Sequence, residues 1–152
     1  MEEIPLVTIK RGKIRKENKT WKKNEGIDLV DSLIEQYGMV YIIDMDGKKG
    51  KPNLKFYKSI GKKMWVDSFS RDLNDIIDLF VCGVEKITLR FFDENIEEVK
   101  NISENEIFIF EDIDIAKKYG LAGVVAEKDL ISDDEIQLWR IYKDREIVRR
   151  IK

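Results

Sequence analysis

Met39-Val40-Tyr41-Ile42-Ile43-Asp44-Met45-Asp46-Gly47 is the stretch on which the fold turns. Its apolar residues run without a break and then give way to two carboxylates and a glycine. An uninterrupted run of this length predicts a strand buried on both faces, as in a parallel sheet. Before it, Ile27, Val30, Leu33, Ile34 and Tyr37 share one face of a helix that Gly38 closes. After it come a loop, Lys48-Lys49-Gly50-Lys51-Pro52, and a short helix. Asn53 caps that helix, Leu54, Tyr57 and Ile60 form its apolar face, and Gly61 ends it.

The same plan extends outward in both directions. Ile4 to Ile9 reads as a strand, Lys10 to Lys13 as a turn, and residues 15–25 as a polar loop holding Trp21. Strands are predicted at 63–67, 85–91, 106–110 and 123–126. Between them lie helices carrying Leu73, Ile76, Ile77 and Phe80, then Ile96, Val99 and Ile102, the latter capped by Asn95 with Glu98 in a capping box. Asp112 or Asp114 opens a short helix reaching Tyr119. The segments 136–142 and 146–151 read as a β-hairpin, favoured by Trp139 and Tyr142. A single helix opened by Ser132 and Glu135 competes, since that pair also makes a capping box.

Strand–helix units at this spacing call for parallel pairing with right-handed crossovers. The expected fold is one α/β domain over residues 1–152. Its β/α units (1–130) resemble a partial TIM barrel of about six parallel strands, with a C-terminal β-hairpin extension (131–152). A complete eight-stranded barrel of this kind takes roughly 200 residues or more. The sheet is therefore expected to stay open, or to be a partial barrel completed by the hairpin or by a second copy.

Composition narrows the chemistry. The 152 residues are 43% hydrophobic, enough for a core without disulfides or metal. There is no histidine, which excludes Ser-His-Asp and Cys-His catalysis. The lone Cys82 lies beside Phe80 and Val81 and reads as a buried structural thiol. No run of about 18 apolar residues is present, and the acidic start lacks a signal-peptide pattern. A cytoplasmic protein without membrane association is expected. Net charge is −2, but residues 1–63 carry 15 Lys/Arg against 9 Asp/Glu, residues 64–135 carry 7 against 19, and residues 136–152 carry 6 against 2. A charge-rich surface of the heat-tolerant kind explains this, as does assembly between copies. The basic segments lack a known RNA-binding motif, so no nucleic-acid partner is expected.

The functional face of parallel α/β folds lies at the C-terminal ends of the strands. There the sequence places Asp44, Asp46 and Asp67 as candidate catalytic residues. Lys10, Lys51, Ser68, Arg71, Arg90 and Glu111 are candidate ligand-binding residues. Clustered carboxylates raise one another's pKa and can divide acid and base roles. They also suit Mg²⁺, although no metal ligand is assigned and no cofactor is expected. The competing reading makes these acids ordinary helix caps, and it is preferred for Asp72, Asp112 and Asp114. For Asp67, Arg71 four residues on is a candidate neutralising partner. The Gly47-to-Lys51 loop supplies two glycines and three lysines, but it is no Walker loop.

At these residues the chain resembles the histidine-biosynthesis (β/α)₈ barrels, the phosphoribosylformimino-aminoimidazole carboxamide ribotide isomerase and its imidazole glycerol phosphate synthase cyclase relative, and an archaeal-type branch of them. The likeness rests on Ile4-Pro5, Lys10-x-Gly12-Lys13, Tyr41 through Gly47, Gly50-Lys51-Pro52-Asn53-Leu54 and Arg71-Asp72-Leu73-x-Asp75, over roughly residues 4–92. It implies a common barrel ancestry and phosphosugar- or nucleotide-like ligands. It does not carry the isomerase reaction over. Thr8 stands where the family has its first catalytic aspartate, and Asp67-Ser68-Phe69-Ser70 replaces the family's consecutive glycines. Two expectations follow: a non-catalytic, oligomer-forming protein, or a small-molecule site for a phosphorylated ligand built on the strand-end carboxylates.

Overall fold

The computed structural model describes residues 2–91, 95–102, 104–132 and 135–152. Among them are ten strands: β1 (Glu3–Lys10), β2 (Lys13–Lys16), β3 (Lys19–Trp21), β4 (Val40–Asp44), β5 (Met64–Asp67), β6 (Lys86–Leu89), β7 (Glu106–Phe110), β8 (Gly123–Ala126), β9 (Gln137–Tyr142) and β10 (Ile147–Arg150). Five α-helices and a 3₁₀ turn at Met45–Lys49 accompany them: α1 (Lys23–Tyr37), α2 (Leu54–Ile60), α3 (Leu73–Val81), α4 (Ile96–Ile102) and α5 (Ile113–Lys118).

The sheet closes on itself. Strands β1, β4, β5, β6, β7, β8 and β9 pair in that order, all parallel. Strand β10 then pairs antiparallel with β9 on one edge and with β1 on the other, in the register Ile4↔Val148. The result is a closed, mixed eight-stranded barrel, with β2 and β3 continuing outward from β1. This corrects the expected partial parallel α/β barrel. The chain closes eight strands in fewer residues than expected because, among the described residues, no helix follows β8 or β9. The C-terminal segment is a strand pair and not a helix, and it forms part of the barrel wall. The polar segment 15–25, read as loop, contains most of a two-residue hairpin. Glu17 and Asn18 form its turn with φ of 55° and 61°, the left-handed pair that such turns require.

Alternation along the strands separates two cores. One face of each strand packs against helices: Val7, Ile9, Val40, Ile42, Met64, Val66, Ile87 and Leu89 meet Val30, Ile34, Phe56, Ile60, Ile76 and Leu79. The other face fills the barrel with Ile4, Leu6, Tyr41, Ile43, Trp65, Phe108, Val125, Trp139, Ile141 and Val148. This is why β4 reads as a continuous apolar run. Trp65 sits among the rings of Tyr41, Phe108 and Trp139, with centroids 5.0, 4.3 and 5.0 Å away. The polar tips of Tyr41 and Trp65 both meet Thr88 Oγ1 at 2.9 Å, so neither ring is buried at the cost of a lost hydrogen bond.

Candidate functional site

The C-terminal ends of the parallel strands form one mouth of the barrel, and its two halves differ. Over β5, β6 and β7 the mouth is plugged. Asp67 is fully buried, and Arg90 Nε and Nη2 each lie 2.7 Å from its Oδ2. The Arg90 guanidinium is 3.7 Å from the Phe110 ring centroid and 4.7 Å from that of Phe69. Phe69 holds φ 54°, a conformation that costs a bulky residue energy. Its backbone N–H donates to Asp67 Oδ1 at 3.3 Å. Burial pushes the Asp67 carboxyl above the usual range, against the opposing pull of Arg90.

Asp44 and Asp46 are also committed to the fold. Asp44 is fully buried and accepts from Asp46 N, Asn53 N and Asn53 Nδ2 at 3.1, 2.8 and 2.9 Å, and from the Tyr57 hydroxyl. Burial raises its pKa, and the hydrogen bonds from Tyr57 and Asn53 work against that rise. Burial and Asp44 in turn hold the Tyr57 hydroxyl protonated, a donor well above its ordinary pKa. Asp46 accepts from Arg11 N, Gly12 N and Asn53 Nδ2 at 2.8, 2.9 and 2.9 Å, and so fastens the β1–β2 turn. Against a burial penalty, these bonds hold its carboxyl below the usual range. Gly47 packs on the next strand end: a Cβ there would lie 1.9 Å from the Ser68 carbonyl oxygen. The Asp-Met-Asp-Gly segment is thus a fastener between three strand ends.

The remaining candidates scatter. Ser68 and Ser70 are buried, with their hydroxyls 3.1 Å apart. Arg71 is exposed and donates to the Lys48 carbonyl, and it is Arg90 that neutralises Asp67. Lys51 is exposed in its loop. Glu111 accepts from Glu127 N at 2.8 Å and lies 3.9 Å from Lys128. Among the described residues, no group of three or more His, Cys, Asp or Glu is placed to hold a metal ion.

The other half of the mouth is open. Along one edge, β1 changes partner: β10 pairs with Glu3–Pro5 and β2 with Thr8–Lys10. The β2–β3 hairpin and the β9–β10 turn approach each other along that edge, and a hydrogen bond from Glu17 N to Glu146 joins them. Between them lies a cleft of about 910 Å³. Its floor is Leu6, Thr8, Ile43 and Met45, and none of the three candidate catalytic aspartates lines it. Lys10, Arg15, Lys16, Lys19, Lys143 and Arg145 line it, against Glu17, Asp144 and Glu146. Arg15 sits opposite Thr8 in the ladder and projects to the same face. Lys16 Nζ donates to the Leu6 carbonyl at 3.0 Å, Lys143 pairs with Glu127 at 2.9 Å, and Glu146 accepts from Glu17 N at 2.8 Å. Among the described residues, no carboxylate pairs with Lys10, Arg15 or Lys19.

Of the expected ligand-binding residues, only Lys10 lines this cleft. The others arise because the fold brings the two basic chain segments together. A sequence signal existed: Lys13-Ile14-Arg15-Lys16 and Lys19-Thr20-Trp21 flank Glu17-Asn18 as short strands flank a tight turn.

No protein-family model matches the chain, and no curated protein matches it in sequence. The resemblance to the histidine-biosynthesis barrels is therefore corrected on two grounds. The barrel is mixed and has five helices among the described residues, where that family has eight strand–helix units. No relative ties the chain to that pathway or to an archaeal type.

Proposed function

We propose that this protein is a non-catalytic binding protein whose ligand is a small phosphorylated molecule held in the cleft beside the β2–β3 hairpin. The observation that carries the reading is the placement of Lys10, Arg15 and Lys19 around an open cleft without carboxylate partners among the described residues. Positive charges at the edge of a low-dielectric floor attract an anion and can hold it by charge-assisted hydrogen bonds. The cleft volume lies in the range of small-molecule sites. The commitment of Asp44, Asp46 and Asp67 to buried structural bonds argues against a carboxylate catalyst.

Thermal shift with inorganic phosphate, pyrophosphate and ribose 5-phosphate tests this. A ligand present at about 100 times its Kd adds about 2.7 kcal/mol of stability. The shift is expected in the wild type, to shrink at high salt, and to vanish in the Lys10→Gln, Arg15→Gln, Lys19→Gln variant. Equal shifts in both proteins, or none in either, would sink the proposal. A homo-oligomer is the second reading. Among the described residues no helix follows β8 or β9, and this and the segregated charge favour it.

A further inference from the structure

We infer that the phosphorylated ligand of the cleft is one nucleotide of a single-stranded nucleic acid, whose neighbouring phosphates run along a basic band beside the cleft. The inference rests on the proposed cleft site and names its ligand class. The band begins on one face of the β1–β2–β3 ribbon. Register puts Thr8, Arg15 and Thr20 in one row across the three strands, and Lys10 and Lys13 in the next. Such rows lie about 7 Å apart along a strand, and neighbours within a row about 5 Å apart. Lys10, Lys13, Arg15 and Thr20 are exposed, whereas Ile14 and Trp21, on the opposite face, pack with α1. The band continues over the end of β4. There Asp46 fastens the β1–β2 turn to the Met45–Lys49 turn, and spends both carboxylate oxygens on Arg11 N, Gly12 N and Asn53 Nδ2. Lys48, Lys49 and Lys51 stand exposed beside it. Among the described residues, none of Lys10, Lys13, Arg15, Lys48, Lys49 and Lys51 has a carboxylate within ion-pair distance. Lys48 Nζ lies 4.7 Å from the Phe69 ring centroid, a contact that leaves its charge in place.

The chemistry of this band selects the partner. It presents cations and hydroxyls, while the exposed large apolar side chains, Tyr37, Val81, Phe91, Ile131 and Ile151, all lie elsewhere. A protein partner would want an apolar centre to the contact, and a membrane would want side chains to insert. A nucleic-acid backbone wants neither. Lys, Arg and Thr side chains are ordinary partners of its phosphates and sugars, and each phosphate neutralised releases counterions whatever the base sequence. Such binding requires no RNA-binding motif, so the chain carries it without one. Geometry favours a single strand over a duplex. The ribbon is backed by α1 and cannot enter a groove as a free hairpin would. A flexible strand can lower a nucleotide into the cleft of about 910 Å³, where Leu6, Ile43 and Met45 give the base an apolar floor, and lay its next phosphates on the band.

Fluorescence anisotropy with a labelled oligothymidylate of about 12 nucleotides, titrated at several salt concentrations, provides the test. The wild type is expected to bind it with a slope of about −3 in log K against log salt, as for four phosphates neutralised on a single strand. Lys13→Gln with Lys48→Gln and Lys49→Gln changes the band at residues that do not line the cleft. That variant, checked by circular dichroism for the wild-type fold, is expected to bind at least about tenfold more weakly and to lose about two units of slope. Its thermal shift with ribose 5-phosphate is expected to stay. The control removes equal charge elsewhere, by Lys58→Gln at the end of α2 and Lys62→Gln with Lys63→Gln before β5, and is expected to bind as the wild type does. Ribose 5-phosphate binding without oligonucleotide binding overturns the inference alone, and failure of both overturns the cleft reading with it. Equal losses in the two variants, equal affinity for a duplex of the same length, or equal affinity for vesicles of anionic phospholipid also overturns the inference.

Discussion

The two halves of the barrel mouth share one backbone plan and reach opposite ends. Over β5 to β7 the strand ends turn inward and neutralise one another: Asp67 holds Arg90, and Phe69 and Phe110 flank the guanidinium. Over β1 and β4 the edge of β1 passes from β10 to β2, and Lys10, Arg15 and Lys19 beside the cleft have no carboxylate partner among the described residues. Charge that is paired and buried fixes structure, whereas exposed charge without a carboxylate partner can meet a ligand. Residue type does not separate the halves, since both contain acids and bases. Partner geometry does.

The contrast is broken most forcefully at Arg90. Arg90→Ala leaves Asp67 buried without its cation and is expected to cost about 3 kcal/mol in urea unfolding. Asp67→Asn combined with Arg90→Met is expected to recover a large part of that loss, as paired removal of a buried ion pair does. Gly47→Ala comes next. The added methyl meets the Ser68 backbone, which cannot swing aside, and about 2 kcal/mol is expected to be lost in the same assay.

Asp44 gives a smaller, pH-dependent effect. Its folded pKa is raised, so folding takes up a proton, and its contribution to stability falls as pH rises from the ordinary carboxylate value through the folded value. Asp44→Asn lacks that slope. The stability of wild type relative to this variant is therefore expected to decline as pH rises from the acidic side of the transition towards neutrality, measured by urea unfolding at each pH. A difference that grows with pH would refute the assignment. Least of all, Lys10→Gln and Arg15→Gln are expected to change stability by no more than about 0.5 kcal/mol while removing the phosphate-dependent thermal shift. A large loss of stability in either would place the open half with the plugged one.

Local pattern made much of the chain legible. The apolar run at 39–43 is buried on both faces because helices cover one side and Trp65 and its neighbours the other. Closure was not legible, because the pairing of Ile4 with Val148 joins residues far apart in sequence and leaves no periodic trace in either strand. The same holds for the site. Asp44, Asp46 and Asp67 were conspicuous as acids at strand ends, yet their partners are backbone amides, Tyr57 and Arg90. Arg15 and Lys19 lie in strands too short and too polar to show alternation, so the tight turn at Glu17-Asn18 is their main signal in the sequence. Lys143 and Arg145 lie in a turn whose distance from the first hairpin only the closed barrel defines.

The pairing of β10 with β1 also sets a timetable for synthesis. The edge of β1 facing β10 is made first, and residues 147–150 follow more than a hundred residues later. Throughout that interval β1 presents unpaired amides and carbonyls beside apolar Ile4 and Leu6, a surface on which other nascent chains can add strands. The β2–β3 hairpin covers its upper half early, since only residues 13–21 are needed. The hairpin that walls the cleft thus also shields half of a waiting edge, and its charge suits it to that task.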